Sequence, residues 1–292
     1  MCPACDCQDF APKRSRHGLT MGICGGCGLA YAHPLRRGGN DQVGDADSSI
    51  TNPAYYEGLM RDYAHQSAST AKKVPLQFRY WSGILGRQLR SVLEVGCGTG
   101  QYCNAWKQLG VSWQGTEVNP AMIDFCLARG VPVSPLAALE GQTFDALFMS
   151  QVLEHILTPQ SFLQTIKDFV VPGGILHLDV PNHGSLASLV RRIAGNNYGA
   201  VQPTHHLLGY SDPPLRRLLE SAGFDIVHLA AHTNDDPLFG QLGPFPLRRK
   251  LQHLASAATG RGSMLVAVAR KPRTGWSTQK STSKSDETFP SP

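Results

Sequence analysis

Residues 91–100, Ser-Val-Leu-Glu-Val-Gly-Cys-Gly-Thr-Gly, constrain this chain more than any other stretch. A short apolar run carries an acid, Glu94, near its end and passes into three glycines at alternate positions, Gly96, Gly98 and Gly100. A helical pattern over Gln101–Leu109 follows. Glycines at such a turn let the backbone take angles closed to other residues and come close to a ligand. The helix start behind them offers N–H groups with no partner inside the helix. Further apolar runs of strand length lie at 111–118, 144–150, 174–182, 224–231 and 264–270. Helical patterns at Ala121–Arg129, Pro159–Phe169 and Pro214–Ala222 alternate with them. Continuous apolar runs fit strands buried on both faces, and strand–helix alternation fits a parallel sheet. The expected fold is α/β: a Rossmann-like, doubly wound, mostly parallel sheet of about seven strands. The long gap between the last two strands, with one helical pattern at Leu247–Ala258, predicts that they close the sheet as an antiparallel hairpin.

With 41% hydrophobic residues over 292 positions, the chain can fill a core of that size, and 17% charged residues is low for a solvated, disordered chain. The net charge of +5 is mild and spread out, which permits an anionic substrate without demanding nucleic acid. No stretch reaches the roughly 18 apolar residues of a spanning helix, and Met1–Phe10 lacks the basic and apolar regions of a signal peptide. A cytoplasmic location is expected.

Five of the eight cysteines fall within the first 27 residues, a distribution unlike a disulfide scaffold. Cys2-x-x-Cys5 and Cys24-x-x-Cys27, with 18 residues between the pairs, have the spacing of a zinc ribbon with a tetrahedral thiolate site. Iron or a redox pair are the alternatives, and Cys7 is a spare thiol. No open ligand position is implied, so the ion is expected to be structural. The chain then divides into a ribbon at 1–35, a flexible linker at 36–53, the α/β domain at 54–270 and a disordered, polar tail at 271–292.

A dinucleotide-binding turn reads G-x-G-x-x-G and seats a pyrophosphate on a helix N-terminus. Here the spacing is G-x-G-x-G after an acid, which disfavours a pyrophosphate and suits a ligand with a cationic amine. A second acid, Glu117, ends the next strand 23 residues later, where a carboxylate can accept both ribose hydroxyls of an adenosine group. Together with FDALFMSQVLEHI (144–156), VPGGILHLDVPN (171–182) and LRRLLESAGF (215–224), these motifs resemble the class I S-adenosylmethionine-dependent methyltransferases. The resemblance is to the branch that includes ubiquinone-biosynthesis O-methyltransferases, over about residues 54–230 and the last strand. The ribbon, CGLAYAHP (27–34) and YYE (55–57) resemble the N-terminal arrangement of sugar C-methyltransferases, whose ribbon helps form the acceptor side.

The resemblance implies an S-adenosylmethionine site. Gly96, Gly98 and Gly100 would line its methionine and ribose, Glu94 would face its amino group, and Glu117 would hold the ribose. Val118, Asn119 and Leu136 would flank the adenine, Ser150 and Gln151 would lie near the sulfonium, and Tyr55 and Tyr56 would close over it. His206, in a stretch resembling the family's H-L-x-x-[FY]-S, is the candidate base, with His155 and His205 as further candidates. His177 and Asp179 read as core or edge groups rather than a dyad. The implied activity is methyl transfer to a small-molecule or carrier-linked acceptor in secondary-metabolite, glycan or quinone-type biosynthesis, with O-methylation ahead of C-methylation. Two other classes stay open: a zinc-ribbon protein that binds or modifies nucleic acid, and a cofactor-binding scaffold without catalysis. The few basic residues of the ribbon are not interleaved with aromatics as a single-strand channel requires.

Overall fold

The computed structural model describes residues 1–16, 19–33, 53–194, 200–201, 206–232, 259 and 261–273. The expected linker, apart from Pro53, lies outside these residues. So do the helix at 247–258, nearly all of the tail, and His205.

Two sheets organise the described chain. The first is antiparallel and holds β1 (Phe10–Arg16), β2 (Leu19–Cys24), β3 (Ala30–His33) and the two-residue β8 (Leu208–Gly209), in that order. The second holds β4 (Ser91–Val95), β5 (Ser112–Thr116), β6 (Phe144–Ser150), β7 (Val170–Pro181), β9 (Asp225–His232) and β10 (Met264–Arg270). Its order is β5-β4-β6-β7-β10-β9. The first four strands run parallel, and β10 lies antiparallel between β7 and β9, which is the expected C-terminal hairpin. Among the described residues this sheet has six strands, and a parallel bridge from Gly115 to Val133 marks the outer position beyond β5.

Alternation along the strands divides the core in two, because successive side chains leave opposite faces. Val92, Ala146, Phe148, Ile175 and Val268 face Trp81 and Trp106, whose rings stack at 5.2 Å. Those tryptophans belong to α2 (Tyr63–Leu85), which follows α1 (Pro53–Arg61), and to α3 (Cys103–Gln108). Leu93, Val95, Leu147, Met149, Leu176 and Leu178 face the other way, toward α5 (Pro159–Lys167) and α7 (Asp212–Ser221). Helix α4 (Pro120–Leu127) starts where Asn119 accepts from Met122 N–H at 3.2 Å and Pro120 opens the first turn. Helix α6 (Leu186–Ala194) follows β7.

The cysteine ribbon does not stand apart. Strand β3 pairs with β8, and Ala32 N–H donates to the Leu207 carbonyl at 3.1 Å. Cys2, Cys27, Leu29 and Tyr31 are buried in the same apolar cluster as Leu153, Leu208, Tyr210 and Leu218. Arg217 of α7 donates from Nη1 to the Gly26 carbonyl at 2.7 Å. No described helix is long and apolar enough to cross a membrane.

Candidate functional site

The C-terminal ends of β4, β5 and β6 lie side by side, with Glu94, the three glycines, Glu117 and Ser150 at or just after them. After β4 the chain turns through Gly96, Gly98 and Gly100, all with positive φ between 53° and 71°, a region open to glycine and strained for other residues. Gly96 and Cys97 N–H both donate to the Thr116 carbonyl, which ties the loop to the end of β5. A Cβ at Gly96 would lie 2.6 Å from Val152 Cγ2, so this residue passes directly under the segment that leaves β6. At Gly98 a Cβ would meet nothing within 4 Å; the space beside it is open.

Glu117 is fixed by backbone. Its Oε2 accepts from Gly98 N–H at 2.8 Å, and its Oε1 accepts from Val118 N–H at 2.7 Å and Asn119 N–H at 3.0 Å. The carboxylate therefore joins the glycine loop to the start of α4. The next two positions diverge: Val118 is 59% exposed, whereas Asn119 is buried and spends its side chain capping α4. Glu94 is buried, and its Oε2 accepts from Trp113 Nε1 at 2.9 Å. Burial pushes the Glu94 carboxyl well above its ordinary range, and the indole N–H opposes that rise. Leu136 opens a 3-10 turn, Leu136–Leu139, half-buried against the core. Tyr56 and Tyr55 meet edge-on at 5.3 Å on α1, with Tyr55 exposed.

At the end of β6, Gln151 takes a positive φ of 55° and turns back to β7, its N–H donating to the Asp179 carbonyl and its Nε2 to Asp179 Oδ1 at 2.8 Å. Asp179 is thus a partner of Gln151. His177 is buried, accepts from Trp81 Nε1 at 3.1 Å and is pushed down to about 3 by desolvation. Both fit the expectation of core and edge groups.

His155 lies on a short 3-10 turn, Leu153–His155, ahead of α5, which begins at Pro159. This turn meets the segment before β8. His155 and His206 rings contact edge-on at 4.8 Å, and His206 Nε2 is 4.0 Å from Glu154 Oε1. Donor atoms of Glu154, His155 and His206 all lie within 4.8 Å of one another. Tyr210 O–H, fully buried, donates to the Leu153 carbonyl at 3.4 Å and braces the turn from behind. Sequence reasoning found the two histidines and missed Glu154, whose only signal was its place in the Leu-Glu-His run.

The four ribbon cysteines converge. Cys2 and Cys27 sulfurs are 3.6 Å apart, as are those of Cys5 and Cys24, and all four lie within 4.8 Å. Zinc–sulfur bonds of about 2.3 Å in a tetrahedron require sulfurs about 3.8 Å apart, so the set is compatible with one zinc ion. The thiols titrate as a coupled set: the Cys2–Cys27 hydrogen bond pulls the Cys27 thiol down and pushes Cys2 up, and burial pushes Cys5 up.

Residues 63–229 match a family model described as a methyltransferase domain. The chain is 26% identical to the ubiquinone biosynthesis O-methyltransferase of Cupriavidus pinatubonensis over 173 residues, which is 54% of this chain and 70% of that protein. It is also 26% identical to the enzyme of that name from Xanthomonas axonopodis pv. citri over 166 residues, 52% of this chain and 70% of the other. Among solved structures, a SAM-dependent methyltransferase from Archaeoglobus fulgidus superposes with a TM-score of 0.52 at 20% identity, covering 74% of this chain and 100% of its own. The plantazolicin methyltransferase BamL, in complex with a triazolic desmethylPZN analog and SAH, gives 0.54 at 12% identity, covering 78% and 94%.

Proposed function

The chain belongs to the methyltransferase domain family and is a class I S-adenosylmethionine-dependent methyltransferase; from that premise we propose that it methylates a hydroxyl of a small-molecule or carrier-linked acceptor, with His206 receiving the proton. The observation that carries the hydroxyl reading is the cluster of Glu154, His155 and His206 beside the end of β6. The names of the O-methyltransferase relatives and of the plantazolicin enzyme support a small acceptor.

In this reading the glycine loop lines the methionine and ribose of the cofactor, and Glu94 faces its amino group. Glu117, already organised by three backbone N–H groups, accepts from the ribose hydroxyls. Val118, Asn119 and Leu136 border the adenine, Asn119 through its backbone because its side chain caps α4. Ser150 and Gln151 stand at the sulfonium end, and Tyr56 covers the entry. When bound, the cofactor supplies an electrophilic methyl group on a positively charged sulfur. The residues of the chain chiefly align acceptor and methyl, since displacement at carbon depends on geometry. As the acceptor oxygen forms its new bond to carbon, His206 takes the hydroxyl proton, and the Glu154 carboxylate favours the imidazolium so formed. Cys2, Cys5, Cys24 and Cys27 hold a structural zinc.

Calorimetric titration with S-adenosylhomocysteine, with NAD run beside it, tests the cofactor: micromolar affinity for the former and none for the latter is expected. Glu117→Ala is expected to weaken that affinity by about 1.5–3 kcal/mol. A panel of phenols, sugars and acidic carbon acids, read by product mass, tests the acceptor. Turnover of a hydroxyl acceptor should fall by about 10²-fold or more in His206→Asn, with S-adenosylhomocysteine affinity unchanged. Methyl found only on carbon, or full turnover by His206→Asn, would sink the reading.

A further inference from the structure

Trp113 and Glu94 sit on neighbouring strands but are not register partners: Trp113 lies opposite Val92, and Glu94 opposite Gly115. To reach the carboxylate, the indole runs diagonally across Gly115. A Cβ at Gly115 would lie 2.6 Å from Trp113 Cη2 and 2.6 Å from Cys97 Sγ. Gly115 is in an ordinary strand, so space rather than backbone angle demands glycine there. Three residues thus form one built arrangement at the root of the glycine loop. Gly115 clears the path, Trp113 donates at 2.9 Å, and Glu94 accepts, with both side chains' residues 4% exposed.

The groups that act on Glu94 from the packed elements are the thiols of Cys97 in the loop, Cys103 on α3 and Cys126 on α4, together with the Glu117 carboxylate. None of these is cationic. Among the described residues a single indole N–H holds this buried carboxylate, and a carboxylate so placed is arranged to receive a cation from outside.

We propose that Trp113 is a positioning residue for the cofactor: its indole N–H keeps Glu94 oriented, and in its charged form, to meet the ammonium group of the methionine moiety. This rests on the cofactor reading above. The Trp113 hydrogen bond favours ionised Glu94, while burial, Glu117 and Cys126 oppose it. Affinity for an ammonium ligand should therefore rise with pH as Glu94 loses its proton. Removing the donor should move that rise upward.

The test is calorimetric titration of the full chain, zinc-loaded, with S-adenosylhomocysteine from pH 5 to 7.5, a range in which the ligand's amine stays largely protonated. Wild type is expected to gain affinity with pH. Trp113→Phe should show the same rise displaced to higher pH, about tenfold weaker near neutrality, with the gap narrowing as pH increases. Glu94→Gln should bind weakly and without pH dependence, and adding Trp113→Phe to it should cost nothing more. A wild-type measurement stands beside these variants: the indole ¹⁵N–¹H resonance of Trp113 should shift with pH in step with the affinity. A loss in Trp113→Phe that is equal at every pH, or that adds in full to Glu94→Gln, would reduce Trp113 to packing and overturn the inference. A pH-invariant indole resonance would do the same. Absence of S-adenosylhomocysteine binding by wild type would instead remove the cofactor reading, and this inference with it.

Discussion

The cysteine ribbon and the glycine-loop end of the large sheet are both tight turns rich in glycine, yet they are held in opposite ways. In the ribbon the convergent atoms are side-chain sulfurs, and the surrounding strands join the rest of the chain through apolar contacts with Leu153, Leu208 and Tyr210, the β3–β8 ladder and the Arg217–Gly26 bond. At the loop the convergent atoms are backbone N–H groups, three of them aimed at one carboxylate. Beneath the loop lies a sheet packed on both faces. On the zinc reading the ribbon therefore depends on four cysteines and an ion. The loop depends on backbone shape, and its sheet would keep that shape after the ion is gone.

Stripping the metal should separate the two regions most strongly, since structural zinc contributes apparent binding energies of about 10 kcal/mol or more. Hydrogen exchange should rise across residues 1–33 and also at 206–211, the stretch that β3 holds, while 91–117 stays protected and S-adenosylhomocysteine affinity changes little. Exchange confined to 1–33 would show a ribbon that folds independently of its neighbour. Tyr210→Ala comes next. This residue is fully buried between the two regions, so its loss should cost about 3–5 kcal/mol in chemical denaturation.

Acid acts on the sheet side of the comparison. Burial holds His177 down to about 3 and His183 down to about 4, both below the ordinary 6.5. The unfolded chain therefore binds protons that the folded chain refuses. Their stabilising contribution is complete above pH 6.5 and is lost as pH falls toward 4, by up to about 1.4 kcal/mol per pH unit for each group. His177→Gln should flatten that slope in urea unfolding measured between pH 4.5 and 6.5; an unaltered slope would exclude His177 as its source. The smallest effect is expected from Arg217→Ala, which removes an exposed bond to Gly26. A loss below about 1 kcal/mol, visible as faster exchange in the second cysteine knuckle, would sharpen the picture of how the ribbon docks.

Continuous apolar runs announced β4, β5, β6, β9 and β10 to within a residue or two, because burial on both faces leaves little room for polar side chains. Cysteine spacing announced the ribbon's ligands for an equally local reason. Helix α2 was not legible: it carries Pro75 in its interior, and two of its five buried residues, Thr70 and Gln77, are polar. The partnership of Glu154 with His206 spans some fifty residues, and the β3–β8 ladder joins two residues to two others across most of the chain. No periodicity records such meetings. Trp113 left a faint trace, a large aromatic two positions before a strand glycine, which becomes meaningful only once the strand register is known.

The ribbon's third strand also has a history in time. Residues 30–33 leave the ribosome long before residues 208–209, their eventual neighbours. At synthesis rates of about 5–20 residues per second, the outer edge of that strand stays bare for roughly 10–35 s. An unpaired strand edge is an invitation to another chain's strand. Early capture of the ion would shape the hairpin but could not cover the edge, so a nascent protein of this design is most prone to aggregate while its catalytic domain is still being made.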